Sequence, residues 1–127
     1  MTGAELIAGL AAGSLPPAHF NHAAHVQVAW ELLRQLPPAQ AEARFCELIL
    51  AYVRALGAEP KFHRTLSLAL LRLIAARMRP DEDWPRFQQR CPELFGDARN
   101  LLARHYSPQA LAAGRDQDLP PDLLPLS

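Results

Sequence analysis

The residues best suited to chemistry in this chain are histidines placed at the starts of predicted helices. His22 and His25 stand three residues apart, a spacing that puts both rings on one face of a helix. His63 stands in the first turn of a later predicted helix. The positive end of the helix dipole disfavours the imidazolium form there, and neutral imidazole is the form that binds metals. We therefore predict that His22, His25 and His63 are metal ligands.

This predicted ligand set leaves a coordination position open, which is typical of catalytic or ligand-binding metal sites. Zinc, iron, copper and nickel all accept imidazole, so the predicted cofactor is a divalent ion of one of these metals. Lys61 is the only lysine among thirteen basic residues, and it lies two positions before His63. A lysine can give up its proton when it is desolvated. Lys61 and His105 are the predicted catalytic residues, with roles in proton transfer or substrate binding.

Two other interpretations of these histidines stay open. In the first, a metal-free pocket of histidine and lysine binds a ligand, either as an acid–base site or as a non-catalytic sensor module. In the second, the histidines are packed in the core of a structural or interaction protein. The sequence lacks the His-Asp dipeptide of metal phosphohydrolases and the HExxH motif of zincins. The convergence of several histidines favours a metal-dependent enzyme acting on a small molecule, with the sensor module as the alternative.

The elements that must position these residues are predicted to be helices. Alanine and leucine, 22 of each, dominate the composition, and prolines separate segments of helical length. We predict an all-α, single-domain bundle over residues 1–127, with four main helices, shorter C-terminal helices and an extended tail over 114–127 that its leucines hold against the body. The predicted helices cover approximately residues 2–12, 21–36, 38–56, 61–79, a short segment from 83, 97–105, and a turn from 107.

Capping residues mark several of these boundaries. Thr2 and Glu5 form a capping-box pattern, and Gly13 suits a helix end. Asn21 is a good N-cap for the helix that carries His22 and His25. Short connections make successive long helices antiparallel. The second and fourth helices are then parallel, and the predicted metal ligands meet at one end of the bundle.

The balance of charge bears on the kind of partner, and the cysteines bear on the cellular compartment. Thirteen basic residues balance thirteen acidic residues, which argues against binding to nucleic acid or to an anionic membrane through bulk charge. No apolar run approaches the ~20 residues of a membrane-spanning helix, and the N-terminal stretch lacks the charge pattern of a signal peptide. Cys46 and Cys91 are predicted to be buried free thiols. We expect a cytoplasmic protein with a small-molecule ligand or substrate, and a homo-oligomer stays open.

Three sequence blocks resemble a family of small, mostly uncharacterised bacterial proteins. The blocks are Phe20–His25, Lys61–Thr65 and Arg104–Ser107. Members of that family carry F-x-H-x-x-H near the start, K-[YF]-H-x-T in the middle and R-[HY]-Y-S near the end. The resemblance spans nearly the whole chain and implies no activity. It does imply a site that is formed by His22, His25, Lys61, His63, Thr65, His105 and Tyr106.

The chain departs from this family pattern at two positions beside the predicted ligands. Ala24 precedes His25 where relatives often have an acidic residue, and Arg64 follows His63 where they often have glutamate. An acidic residue next to a metal ligand commonly orients the ligand or acts as a base. The resemblance therefore implies that the chemistry of this chain is altered if those acids are needed.

Overall fold

The computed structural model describes residues 1–126, apart from the side chain of Ala98, and over these residues the protein is all-helical. The all-α prediction is confirmed. Short 3₁₀ turns cover Pro17–His19, Glu59–Lys61 and Pro92–Leu94. The α-helices are α1 (Gly3–Ala12), α2 (His22–Gln35), α3 (Pro38–Ala55), α4 (Arg64–Arg77), α5 (Trp84–Arg90), α6 (Ala98–Ala103) and α7 (Pro108–Ala113). Within the described part of the chain, none of the helices is long and apolar enough to cross a membrane.

Local capping explains where the first two helices begin. Thr2 and Glu5 form the predicted capping box, with each side chain accepting from the backbone N–H of the other residue. Gly13 ends α1 in the left-handed conformation at φ 68°, which glycine adopts at little cost. The Asn21 side chain accepts from the backbone N–H of Ala24 at 2.9 Å and so starts α2. These predictions from the sequence are confirmed.

The chain divides into two compact units, of which the first is Met1–Phe62 and the second begins at His63. The prediction of a single domain stays a prediction. In the first unit, α1, α2 and α3 pack against one another in pairs. Because α2 contacts both α1 and α3, its buried residues cover more of its surface than a single apolar face. Its buried residues are Ala24, Val26, Val28, Ala29, Trp30 and Leu32.

The second unit is centred on α4, the helix richest in buried leucine. Its C-terminal end is tied to α5 by Arg90, which holds the carboxylate of Glu82 with two bonds of 2.6 and 2.7 Å. The same guanidinium donates to the backbone carbonyl of Arg77, the last residue of α4. Helix α4 also packs against α6. Cys46 in the first unit and Cys91 in the second are both buried free thiols, as predicted.

The predicted start of α4 at residue 61 is wrong by three residues. A 3₁₀ turn ends at Lys61, and α4 begins at Arg64. His63 has extended backbone angles of φ −135° and ψ 109°, so it precedes the helix as its N-cap and does not lie in its first turn. The reason is a side-chain bond that sequence patterns do not show, in which the imidazole itself accepts from the backbone N–H of Leu66.

The segment after α7 contacts its own unit through polar groups, and of its four leucines Leu119 and Leu126 are half-buried. The prediction that its leucines hold it stays a prediction. Leu123 and Leu124 are 54% and 57% exposed. Instead, Thr65, which is fully buried, forms hydrogen bonds with the backbone of Gln117 and Leu119. Ser127, at the end of the predicted tail, lies outside the described residues.

Gly114 is a close-approach position where this segment leaves α7. Replacing it with alanine places a Cβ against Oγ1 of Thr65 and 2.9 Å from that residue's Cβ. We expect Gly114→Ala to lower the free energy of unfolding by about 1–3 kcal/mol because the buried threonine cannot move away. Gly96→Ala is the matched control, since nothing lies within 4 Å of its new Cβ, and it should stay within about 0.5 kcal/mol of wild type. Equal losses in urea unfolding would contradict the close packing described here.

Candidate functional site

The histidine pair of the first unit lies at the start of α2. Since α2 begins at His22, both His22 and His25 belong to its first turns, as predicted. Residues three apart in a helix are neighbours on its surface, so the two imidazoles share one face. The charge of a protonated His22 acts on His25, which agrees with this proximity.

His25 is held in one orientation by a hydrogen bond and a ring stack. Its Nδ1 lies 2.9 Å from the backbone carbonyl oxygen of Asn21. A carbonyl oxygen can only accept, so Nδ1 carries the proton and the lone pair of the neutral ring is on Nε2. The ring stacks on Phe20 with centroids 3.8 Å apart, and the Tyr52 ring meets Phe20 edge-on at 5.3 Å. The hydroxyl of Tyr52 in turn donates to the carbonyl of Leu15 at 2.5 Å, which anchors this aromatic group.

The environment of His25 favours its neutral form. Burial lowers the pKa of His25 below its ordinary value of 6.5, because removal from water disfavours the charged ring. The bond to the Asn21 carbonyl favours the protonated form and raises the pKa, while a charged His22 lowers it. Desolvation is the largest of these effects. At neutral pH, His25 therefore presents Nε2 as a base or ligand atom.

His63 uses both of its ring nitrogens inside the second unit. Nδ1 accepts from the backbone N–H of Leu66 at 3.1 Å, and Nε2 donates to the carbonyl oxygen of Leu111 at 2.7 Å. A neutral imidazole has a single nitrogen lone pair, and here the helix N–H takes it. In this arrangement His63 caps α4 and connects it to α7. Its use as a metal ligand would require loss of the cap.

The predicted proton-transfer residues lie in exposed or partly exposed positions. Lys61 ends the 3₁₀ turn before α4 and is exposed, so its ammonium group stays in water. His105 follows α6, where the sequence predicted it inside a helix, and its Nδ1 donates to the carbonyl of Leu124 at 2.9 Å. Tyr106 is buried, and its hydroxyl donates to the carbonyl of Leu119 at 3.1 Å. Burial raises the pKa of Tyr106, which keeps the phenol protonated.

Sequence reasoning did not find two features that hold the site residues. The stacking of Phe20 on His25 was missed, although Phe20 precedes the helix cap and is part of the F-x-H-x-x-H block. The use of Thr65 as a hydrogen-bonding centre for residues 117–119 was also missed. The available signal for it was a threonine at the second position of a helix that is rich in leucine.

A three-histidine metal centre stays a prediction. Among residues 1–126, no group of three or more histidine, cysteine, aspartate or glutamate side chains is arranged to hold a metal ion. His22 and His25 belong to the first unit, and His63 and His105 belong to the second. The arrangement that the structure does show is a histidine pair on α2 with one ring firmly oriented.

Comparisons of the chain with protein-family models, with curated proteins and with solved structures give no match. Function is therefore inferred from the residues and their geometry.

The lowered pKa of His25 predicts a pH dependence of stability. The unfolded state binds a proton on this histidine at a higher pH than the folded state does, so folding is penalised as the pH falls below about 6.5. We expect the urea midpoint to drop between pH 7.5 and pH 5.5, and to drop less in His25→Gln. His19→Gln, which changes an exposed histidine nearby, should retain the wild-type drop. The prediction fails if His25→Gln shows the same pH dependence as wild type.

The double role of His63 predicts a graded effect of substitution. His63→Ala removes the N-cap and leaves the Leu111 carbonyl without its donor, so we expect a loss of about 1–2 kcal/mol in the free energy of unfolding. His63→Asn keeps a side-chain acceptor at the cap and should recover part of that loss. Urea unfolding of the two variants measures the difference, and identical losses would show that the cap contributes nothing.

Proposed function

We propose that this protein is a small cytoplasmic metal-dependent enzyme acting on a small molecule, and that the histidine pair of α2 holds the metal. The observation that carries the proposal is the orientation of His25. Its Nδ1–H donates to a backbone carbonyl, and the lone pair of Nε2 points away from that bond. The two buried free thiols agree with a reducing compartment.

The residues present fit a metal in a specific way. Metal-ligating histidines almost always donate their second ring nitrogen to a carboxylate or carbonyl, which fixes the tautomer and the ring. Asn21 supplies that carbonyl to His25 at 2.9 Å, and the same residue caps the helix through its side chain. His22 is one turn earlier on the same face. Together, His22 and His25 would contribute two imidazole ligands.

The roles of the protein groups follow from their positions. A bound zinc, iron, copper or nickel ion would supply Lewis-acid chemistry at a substrate oxygen. Phe20 stacks on His25 and excludes water from one face of the ring. Lys61 belongs to the same unit as the histidine pair and keeps its proposed role in proton transfer or substrate binding. His63 is left out of this ligand set because its lone pair is used by the first turn of α4.

A metal-free binding or sensor module is the second candidate, and the lowered pKa of His25 favours it. A neutral histidine of fixed tautomer is an oriented hydrogen-bond acceptor, so Nε2 could receive a hydroxyl or N–H of a ligand without any metal. In that case, a bound small molecule would raise the melting temperature without turnover. His25→Gln would remove that shift.

Metal content of the untagged protein tests the proposal. The protein is incubated with zinc(II), iron(II), copper(II) or nickel(II), separated from free metal and subjected to elemental analysis. We expect near-stoichiometric metal in wild type and loss in His22→Ala and in His25→Ala. The control His19→Ala changes an exposed histidine of the preceding 3₁₀ turn and should keep its metal.

His63→Asn separates the two-histidine arrangement from the predicted three-histidine centre. Because asparagine can preserve the cap of α4, this variant is expected to fold and to retain its metal. Loss of metal in His63→Asn would support the three-histidine prediction. Absence of metal from wild type under all four conditions would contradict metal binding and favour the metal-free module.

A further inference from the structure

In the second unit, residues 114–124 lie along α4 and the segment after α6. We refer to residues 114–124 as the strap. The first two backbone N–H groups of α4 have no partner within the helix, and the start of the strap supplies carbonyl acceptors for them. The N–H of Arg64 donates to the carbonyl of Arg115 at 2.8 Å, and the N–H of Thr65 donates to that of Gly114 at 3.2 Å.

The side chain of Thr65 then binds the strap backbone at two points. Its Oγ1 donates to the carbonyl of Gln117 at 2.5 Å and accepts from the N–H of Leu119 at 3.1 Å. Thr65 is fully buried, so its hydroxyl has exchanged water for these two backbone groups. A hydroxyl used both as donor and as acceptor binds main-chain groups without regard to the side chains of the segment.

The R-H-Y-S block continues the same pattern further along the strap. The Tyr106 hydroxyl donates to the carbonyl of Leu119 at 3.1 Å. His105 makes two bonds: its Nδ1 donates to the carbonyl of Leu124 at 2.9 Å, and its own carbonyl accepts from the N–H of Leu123 at 3.0 Å. The strap backbone is thus bound at intervals along most of its length.

Two carboxylates of the strap accept hydrogen bonds from side chains or backbone outside the strap. Asp118 accepts two parallel bonds of 2.8 Å from the guanidinium of Arg72, a geometry that selects a carboxylate. Asp122, four residues later, accepts from the Ser107 N–H at 2.9 Å and from its hydroxyl at 2.5 Å. These bonds from Arg72 and Ser107 lower the pKa of each aspartate, so both carboxylates are charged at neutral pH.

Two of the three leucines of the strap contribute little in comparison. Leu123 and Leu124 are among the most exposed large apolar residues of the described chain. Main-chain hydrogen bonds combined with a few side-chain contacts are the way in which proteins bind extended peptides. A segment that belonged to the core would instead be held by its buried leucines.

We propose that Thr65, Arg72, His105, Tyr106 and Ser107 form a binding site for an acidic peptide with two carboxylates four residues apart. The strap is the intramolecular occupant of this site, and Asp118 and Asp122 retain it there. A tethered segment competes at an effective concentration of order millimolar. A separate peptide therefore binds only to the fraction of molecules whose strap is released.

Weakening the strap without altering the site tests the proposal. The full chain is prepared as wild type and as the double variant Asp118→Asn, Asp122→Asn. The probe is a fluorescein-labelled synthetic peptide with the sequence of residues 114–126, and binding is followed by fluorescence anisotropy. We expect the double variant to bind the probe at least about tenfold more tightly than wild type, because its own strap competes less well.

Matched peptides and one further variant test the chemistry of recognition. A peptide carrying Asp118→Asn and Asp122→Asn should bind the double variant at least about tenfold more weakly. A peptide carrying Asp116→Asn should bind as the unmodified probe does, since this exposed carboxylate is not part of the pattern. Arg72→Gln, added to the double variant, should weaken binding of the unmodified probe.

Hydrogen exchange with wild type provides an arm that does not depend on the folding of any variant. Unlabelled peptide at millimolar concentration should speed exchange at the amides of Leu119 and Leu123, while those of Arg64 and Thr65 stay protected by the incoming peptide. Unchanged strap exchange in wild type would overturn the proposal. The proposal would also be overturned if the strap amides of the double variant stayed fully protected from exchange. Equal binding of the unmodified peptide and the peptide with Asp118→Asn and Asp122→Asn would overturn it as well.

Discussion

Each α-helix begins with backbone N–H groups that have no carbonyl partner inside the helix. At the start of α4, in the second unit, each of these N–H groups has an acceptor. Much of the local structure depends on the groups that act as these acceptors. The strap supplies carbonyls to the first two N–H groups, and the His63 imidazole accepts the third. Loss of any of these partners would leave a donor unpaired in a partly buried region, at a cost of about 1–3 kcal/mol.

The need for acceptors at a helix start also gives the histidines different chemical roles. In α2, the cap is the side chain of Asn21, so the imidazoles that follow it are not needed as caps. In α4, His63 is itself the cap, and its lone pair is used. Two histidines near helix starts therefore differ in chemistry: the ring of His25 keeps an oriented acceptor, and that of His63 does not. For this reason the proposed metal site is on α2.

The sequence blocks that carry the family resemblance have distinct physical uses in this chain. The F-x-H-x-x-H block builds an aromatic and imidazole stack at the start of α2. The K-F-H-x-T and R-H-Y-S blocks direct their polar groups at the start of α4 and at the strap. Thr65 and Tyr106 are buried, and their hydroxyls are bonded to backbone groups of the strap.

The sequence by itself determined the helical class and most of the helix boundaries, since capping residues, prolines and glycines act within a few residues of each other. Thr2 and Asn21 cap the helices expected of them, and Asp83 and Ser107 cap helices at the two later starts that the sequence predicted. It also placed the His22 and His25 pair on one helix face. Only the tertiary structure decided that His63 is a cap and that a polar strap crosses α4. Those outcomes depend on bonds to residues about 50 positions away, as from His63 to Leu111 and from Thr65 to Gln117, which local patterns do not encode.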